Sequence, residues 1–345
     1  MKTEIATVAP AGDADRVIFQ RAGEILRAGG LVVFPTETVY GLGANALDPA
    51  AAEKIFAAKG RPGDNPLIVH VADPKDAEAF AVATPVYYQL AERFMPGPLT
   101  VILDKKPVVP STVTGGLDTV AVRCPAHPVA RALIRTAGIP VAAPSANLSG
   151  SPSPTSAAHA AADLCGRVDM ILDGGECAIG VESTVIRLTE DGCVLLRPGE
   201  ILPRELASVV KHVHVSPAVL DPGAAGEHPA SPGMKYRHYA PRTKLVLVDA
   251  TSDEFAAFVK GQQGACGVLA YTEDLDRFGD RQVMDLGARE DPAAQMHNLF
   301  RVLREADHMQ VPVIYAPLPP KTDEYLALYN RIIRAAGCEV LKGRS

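Results

Sequence analysis

Gly29-Gly-Leu-Val-Val-Phe-Pro-Thr-Glu-Thr-Val-Tyr-Gly-Leu-Gly-Ala-Asn-Ala46, followed by a short helical pattern and Lys59-Gly60-Arg61-Pro62, is the stretch that decides the fold. Leu31 to Phe34 is a four-residue apolar run between a glycine pair and Pro35, the signature of a strand buried on both faces. Pro35 ends it. Thr36, Glu37, Thr38 and Tyr40 follow with two glycines, small polar groups on a backbone that a ligand can approach. Asp48-Pro49 then predicts a capped helix start, and Gly60 its C-terminal cap. Lys59 and Arg61 therefore stand where that helix stops, which suits the negative end of its dipole as well as it suits an anion site.

Working outward, residues 16–28 place Val17, Ile18, Ala22, Ile25 and Leu26 on one helical face ahead of the first strand. Leu67 to Val71 has strand character, with His70 on the face of Ile68; such a histidine is either structural or turned to a crevice. Asp73-Pro74 and Thr84-Pro85 predict two helix starts, and Thr100 to Leu103 a strand. Residues 106–118 are rich in Pro, Ser, Thr and Gly, and we read them as a surface loop able to act as a lid. The strand Thr119 to Arg123 ends on an arginine, a snorkelling edge residue or an anion clamp.

Ile139 to Ala143 is another buried strand, and Pro144-Ser-Ala-Asn147 through Ser153 is a second polar turn after it. Its serines and Asn147 serve equally as an N-cap for a helix over 155–165. Val168 to Leu172 is a strand, and Ser183 to Leu188 with Cys193 to Arg197 predicts a hairpin around Asp191-Gly192. Hydroxyls and cations thus recur at strand ends. These elements imply an α/β domain with a mixed sheet over residues 8–210. Residues 211–243 read as a linker, and within it Ser231 to Pro241 mixes basic side chains with tyrosines, suited to phosphate or base contacts or to domain docking. Over 244–345, strands at 245–248, 266–270 and 311–316 alternate with helices near 252–260, 291–306 and 321–336, a smaller parallel α/β (Rossmann-like) domain.

Composition bounds the function. The chain has 345 residues, enough for two domains, and 47% hydrophobic content to fill both. A net charge of -6 argues against a surface built for nonspecific nucleic-acid binding. The six cysteines lack metal-ligand spacing and read as reduced, mostly buried thiols. No segment approaches the ~20 apolar residues of a membrane span, so a soluble cytoplasmic protein is expected.

Taken together, Pro35-Thr-Glu-Thr-Val-Tyr-Gly-Leu-Gly43, Lys59-Gly-Arg61, Asn65-Pro-Leu67, Pro96-Gly-Pro-Leu-Thr100, Val122-Arg-Cys-Pro125, Pro144-Ser-Ala-Asn147, Ser183-Thr-Val185 and Arg197-Pro-Gly199 carry a family resemblance. Residues 8–210 resemble the YrdC-type fold, and the whole chain resembles the two-domain branch of the threonylcarbamoyl-AMP synthase family. Met95 departs from the family pattern, which has tryptophan there, and bears on packing. The resemblance implies a nucleotidyltransferase that makes threonylcarbamoyl-AMP and pyrophosphate from L-threonine, bicarbonate and ATP. Its product would pass to a separate tRNA threonylcarbamoyl transferase. By the same resemblance Lys59, Arg61, Asn65, Thr119, Ser145, Asn147, Ser153 and Arg197 would bind ATP, Lys59 and Arg61 acting in catalysis. Mg²⁺ would ride on the phosphates, with no metal ligand from the protein. Thr38, His70, Arg123, Ala143 and Ser183 would hold threonine, Arg123 on its carboxylate, and Tyr236, Arg237 and His238 would close over the nucleotide. The family also has an association with RNA, so the alternative is an RNA-binding module in direct contact with tRNA and without adenylation activity.

Overall fold

The computed structural model describes residues 2–9, 15–221 and 239–343. The chain divides into two compact units, the first drawn mainly from residues before 236 and the second mainly from those after. Tyr236, Arg237 and His238 lie outside the described residues.

In the first unit, α1 (Arg16–Arg27) leads into β2 (Val32–Phe34), which follows the edge strand β1 (Glu4–Thr7). Every residue of β2 is buried, as the apolar run requires. Pro35 releases the chain, but it returns at once as β3 (Gly41–Asn45), antiparallel to β2. The glycines of this stretch therefore serve packing: a Cβ on Gly43 would come within 2.9 Å of both the Phe34 ring and Val141. This corrects the expectation that they open the backbone to a ligand. The helix α2 (Pro49–Lys59) has the anticipated caps, with the Asp48 side chain accepting from Ala50 N and Gly60 left-handed at φ 61°.

The remaining strands of the unit are β4 (Ile68–His70), β5 (Leu99–Asp104), β6 (Thr119–Arg123), β7 (Val141–Ala142), β8 (Met170–Asp173), β9 (Thr184–Leu188), β10 (Gly192–Arg197) and β11 (His212–Val215). Among the described residues they form one eleven-stranded mixed sheet, ordered β1-β8-β2-β3-β7-β4-β6-β5-β9-β10-β11. Helix α5 (Pro128–Ala137) packs with α1 over β2, β7 and β8, where Phe19, Leu26, Phe34, Leu133 and Leu172 share one core. Each such large side chain, fully buried, contributes about 1.5–3 kcal/mol. β11, which we had placed in the linker, extends the sheet in parallel with β10; its His-Val-His-Val alternation suits a solvated edge.

Residues 106–118 are anchored, contrary to the lid expectation. They contain α4 (Ser111–Thr114), where Val113 and Thr114 are buried and the Thr114 hydroxyl donates to Leu117 O at 2.8 Å. Four of the six cysteines are buried and all six are free thiols.

The second unit is a five-stranded, all-parallel sheet ordered β14-β13-β15-β12-β16. Its strands are β12 (Lys244–Asp249), β13 (Gly267–Tyr271), β14 (Gln282–Gly287), β15 (Val313–Pro317) and β16 (Val340–Lys342). Among the described residues its α-helices are α9 (Ser252–Lys260), α10 (Pro292–Ala306) and α11 (Leu326–Ala335). β14 and β16 went unread in the sequence because both are edge strands with no sustained apolar run. Among the described residues no helix is long and apolar enough to cross a membrane.

Candidate active site

A single row of residues crosses the middle of the first sheet. Val141 of β7 pairs with His70 of β4, His70 with Arg123 of β6, Arg123 with Thr100 of β5, Thr100 with Val185 of β9, and Val185 with Arg197 of β10. Strand spacing near 4.8 Å makes residues distant in sequence into neighbours on one line. Three of the six are ionisable side chains, of which the sequence places Arg123 and Arg197 at strand ends.

Arg123 is 4% exposed, so it is no snorkelling edge residue. Its Nη2 lies 2.7 Å from Glu37 Oε1, while Nε is buried with no hydrogen-bond partner among the described residues. The other oxygen of Glu37 accepts from the backbone amides of Ala126 and His127, at 3.1 and 3.4 Å. Burial alone would raise the Glu37 carboxyl, but the Arg123 guanidinium and these amides prevail and hold it below the ordinary carboxylate range.

His70 is pushed down to about 3, first by burial and then by the Arg123 charge. Its Nδ1 is 3.2 Å from Ile68 O and its ring meets Phe34 edge-on at 6.0 Å. At neutral pH it is an uncharged imidazole packed beside Arg123. Thr38 is fully buried, its hydroxyl 2.8 Å from that of Thr36, which itself donates to Val39 O. Ala143 is buried in the backbone ladder, its amide bound to Ile68 O. Burial also pushes the Cys177 thiol up, so it is a poor nucleophile.

Beyond Thr100 the row continues through hydroxyls to Arg197. Thr100 Oγ1 and Ser183 Oγ are 2.8 Å apart, and Arg197 donates to Ser183 O and Ser183 Oγ, both at 3.1 Å. Ser153 donates to the buried Glu182 at 2.5 Å, immediately before Ser183.

Lys59 joins a second group. The side chain is 2% exposed, and Nζ donates to the Ser145 carbonyl, to Asn147 O at 2.5 Å and to Asn147 Oδ1 at 3.3 Å. Ser145 Oγ in turn donates to Asn147 Oδ1. A helix dipole does not account for a lysine buried against a separate turn. Nor do Ser145 and Asn147 cap the next helix, α6 (Ala157–Leu164); Ser156 does that. Arg61 reaches Asn65 O and Pro66 O at 3.3 and 3.2 Å, and Asn65 Oδ1 is buried with no partner among the described residues.

The structure thus brings Lys59, Ser145 and Asn147 into direct contact, pairs Arg61 with Asn65, and aligns His70, Arg123 and Arg197 along one row, with Ser183 bonded to Arg197. Thr119 stands apart, at the opposite end of β6 from Arg123, about 13 Å along the strand. Glu37, Thr36, Thr100 and Glu182 are bound into these groups without having been singled out as site residues. Glu37 carried the one available signal, a lone charge three residues past a buried strand. The donors are cations, hydroxyls and amides, a set that suits anionic oxygens.

Comparison with known proteins agrees with this chemistry. Residues 24–199 match the Sua5/YciO/YrdC family described as telomere recombination, and residues 201–337 match the threonylcarbamoyl-AMP synthase C-terminal domain. The threonylcarbamoyl-AMP synthase of Pyrococcus abyssi is 47% identical over 93% of this chain and 94% of its own length. That of Bacillus subtilis is 45% identical over the same shares. A crystal structure of P. abyssi Sua5 complexed with L-threonine is similar at a TM-score of 0.89 and 45% identity, over 99% of this chain and 100% of that one. The chain belongs to the threonylcarbamoyl-AMP synthase family of nucleotidyltransferases, in its two-domain form.

Proposed function

We propose that the first unit joins L-threonine, bicarbonate and ATP into threonylcarbamoyl-AMP and pyrophosphate, with the cross-strand row as the floor of the site. Threonine's amine attacks the carbon of bicarbonate to form a carbamate, and water leaves. A carbamate oxygen then attacks the α-phosphate, and pyrophosphate leaves. No covalent enzyme intermediate is needed, so the work is to hold two anions side by side and neutralise charge on the leaving group.

Each group of residues takes one part of that work. Thr38, His70, Arg123, Ala143 and Ser183 hold threonine, with the buried Arg123 on its carboxylate. Lys59, Arg61, Asn65, Ser145, Asn147, Ser153 and Arg197 receive the nucleotide, and Lys59 and Arg61 neutralise its phosphates. Thr119 belongs to this set by resemblance only, given its place on β6, as do Tyr236, Arg237 and His238 beyond the described residues. Mg²⁺ would arrive on the phosphates, since the two carboxylates gathered here, Glu37 and Glu182, are engaged by Arg123 and Ser153. Residues 8–210 with β11 form the catalytic domain, residues 244–345 the second domain, and the segment between them the closing element. The product passes to a transferase acting on tRNA.

The observation that carries this proposal is the row itself: two buried arginines, three strands apart, with hydroxyls between them. Mass spectrometry of the product made with Mg-ATP, L-threonine and carbon-13 bicarbonate tests it. A threonine-containing adenylate heavier by one mass unit is expected. Formation of AMP or ADP without a labelled adduct would overturn it.

A further inference from the structure

Glu37 is the carboxylate that the threonine set lacks, and it is held more firmly than a surface acid would be. It ties its own turn after β2 to one stretch 86 to 90 residues on, through Arg123 at the end of β6 and the amides of Ala126 and His127 just before α5. Its side chain is 12% exposed and that of Arg123 is 4%. A pair so far out of water costs desolvation, which its charge-assisted hydrogen bonds offset only while both partners keep their geometry. The pair leaves Arg123 asymmetric: Nη2 is engaged at 2.7 Å, while buried Nε has no acceptor among the described residues.

We propose that Glu37 is the positioning residue for amino-acid recognition, fixing the Arg123 guanidinium through Nη2 so that its remaining donors meet the substrate carboxylate in one orientation. Two consequences follow. The long arginine side chain loses its freedom on folding instead of on binding, so threonine does not have to order it. The compensating negative charge also keeps the pocket from binding any small anion that happens by, since only a ligand matched to the remaining donors gains both hydrogen bonds. This inference rests on the assignment of Arg123 to threonine made above.

The test is steady-state pyrophosphate release by the full chain, wild type against Glu37→Gln, Glu37→Asp and Arg123→Lys, with threonine and ATP each varied. In Glu37→Gln one oxygen still accepts from Arg123, but the other position becomes a donor facing the Ala126 and His127 amides. The arginine then loses its anchor. We expect KM for threonine to rise tenfold or more, kcat to stay within about threefold, and KM for ATP to stay within about twofold. Glu37→Asp restores the charge but not the full reach and should fall between.

An unchanged threonine KM in Glu37→Gln, with a raised one in Arg123→Lys, would overturn the positioning role while leaving the Arg123 assignment intact. Threonine and ATP constants rising together, with a lower melting temperature in both Glu37 variants, would also overturn it in favour of a purely structural pair. An Arg123→Lys variant with wild-type threonine KM would instead remove the assignment on which the inference rests.

Discussion

In the first unit two buried cations, Lys59 and Arg123, are met by partners far along the chain, whereas in the second a buried carboxylate, Asp274, is met by arginines nearer in sequence. Lys59 binds Asn147, 88 residues away, and Arg123 binds Glu37, 86 residues away. In the second unit, buried Asp274 is held by Arg277 and Arg289, three and fifteen residues on. Arg289 also lies over the Tyr271 ring at 4.6 Å. A local pair closes on itself and stabilises one turn. A convergent one demands that several elements be placed first, at a cost in desolvation and chain order, and it leaves donors facing a common space. On the proposed reading, the contrast separates charge that builds a site from charge that finishes a fold.

The largest effect that would break this contrast is expected at Lys59. Lys59→Ala should lower threonine-dependent pyrophosphate release at least about a hundredfold, and it should also lower the melting temperature, because the carbonyls of Ser145 and Asn147 lose their buried donor. Near-wild-type turnover would reduce Lys59 to a structural cation holding the Ser145–Asn147 turn. Arg61→Ala should lose about ten- to a hundredfold in the same assay with a smaller change in melting.

The local arrangement predicts the opposite behaviour. Asp274→Asn should cost about 1–2 kcal/mol in denaturant unfolding; the value expected for a buried pair is reduced here because both arginines are about one-third exposed. Pyrophosphate release below the melting range should not change, and a loss there would show that the second unit's charges take part in the reaction.

The smallest effect concerns pH. His70 has a folded pKa near 3 against an ordinary 6.5, so the unfolded chain takes up a proton that the folded chain refuses. Its contribution to stability is present above about pH 6.5 and is lost progressively as pH falls towards 3. From pH 8 to pH 6 the loss is under about 1 kcal/mol. Chemical denaturation across that range should show this slope in the wild type and a flatter one in His70→Gln.

Much of this was legible in the residues. Asp48-Pro49 and Gly60 bounded α2 because caps act locally, and the Leu31 to Phe34 run disclosed β2 because only a buried strand is apolar throughout. β3 was hidden, since glycine is a poor strand former and Gly43 is small for the sake of the Phe34 ring, a tertiary reason. Arg123 and Arg197 stood out at strand ends, and Lys59 and Arg61 at the end of a helix. The register that aligns His70, Arg123, Thr100 and Arg197 did not, because strand order is a property of the whole sheet. Glu37 was visible as a residue, but its tie to Arg123 and α5 spans segments that no local pattern joins.

Pyrophosphate release from Mg-ATP, with threonine and bicarbonate omitted in turn, tests the central claim most directly. The convergent site predicts release only when both are present, because the attacking oxygen comes from a carbamate built from the two. Release that persists without either would make this a nucleotide hydrolase. Absence of release under all conditions, with salt-dependent tRNA binding in its place, would contradict the account in favour of an RNA-binding module.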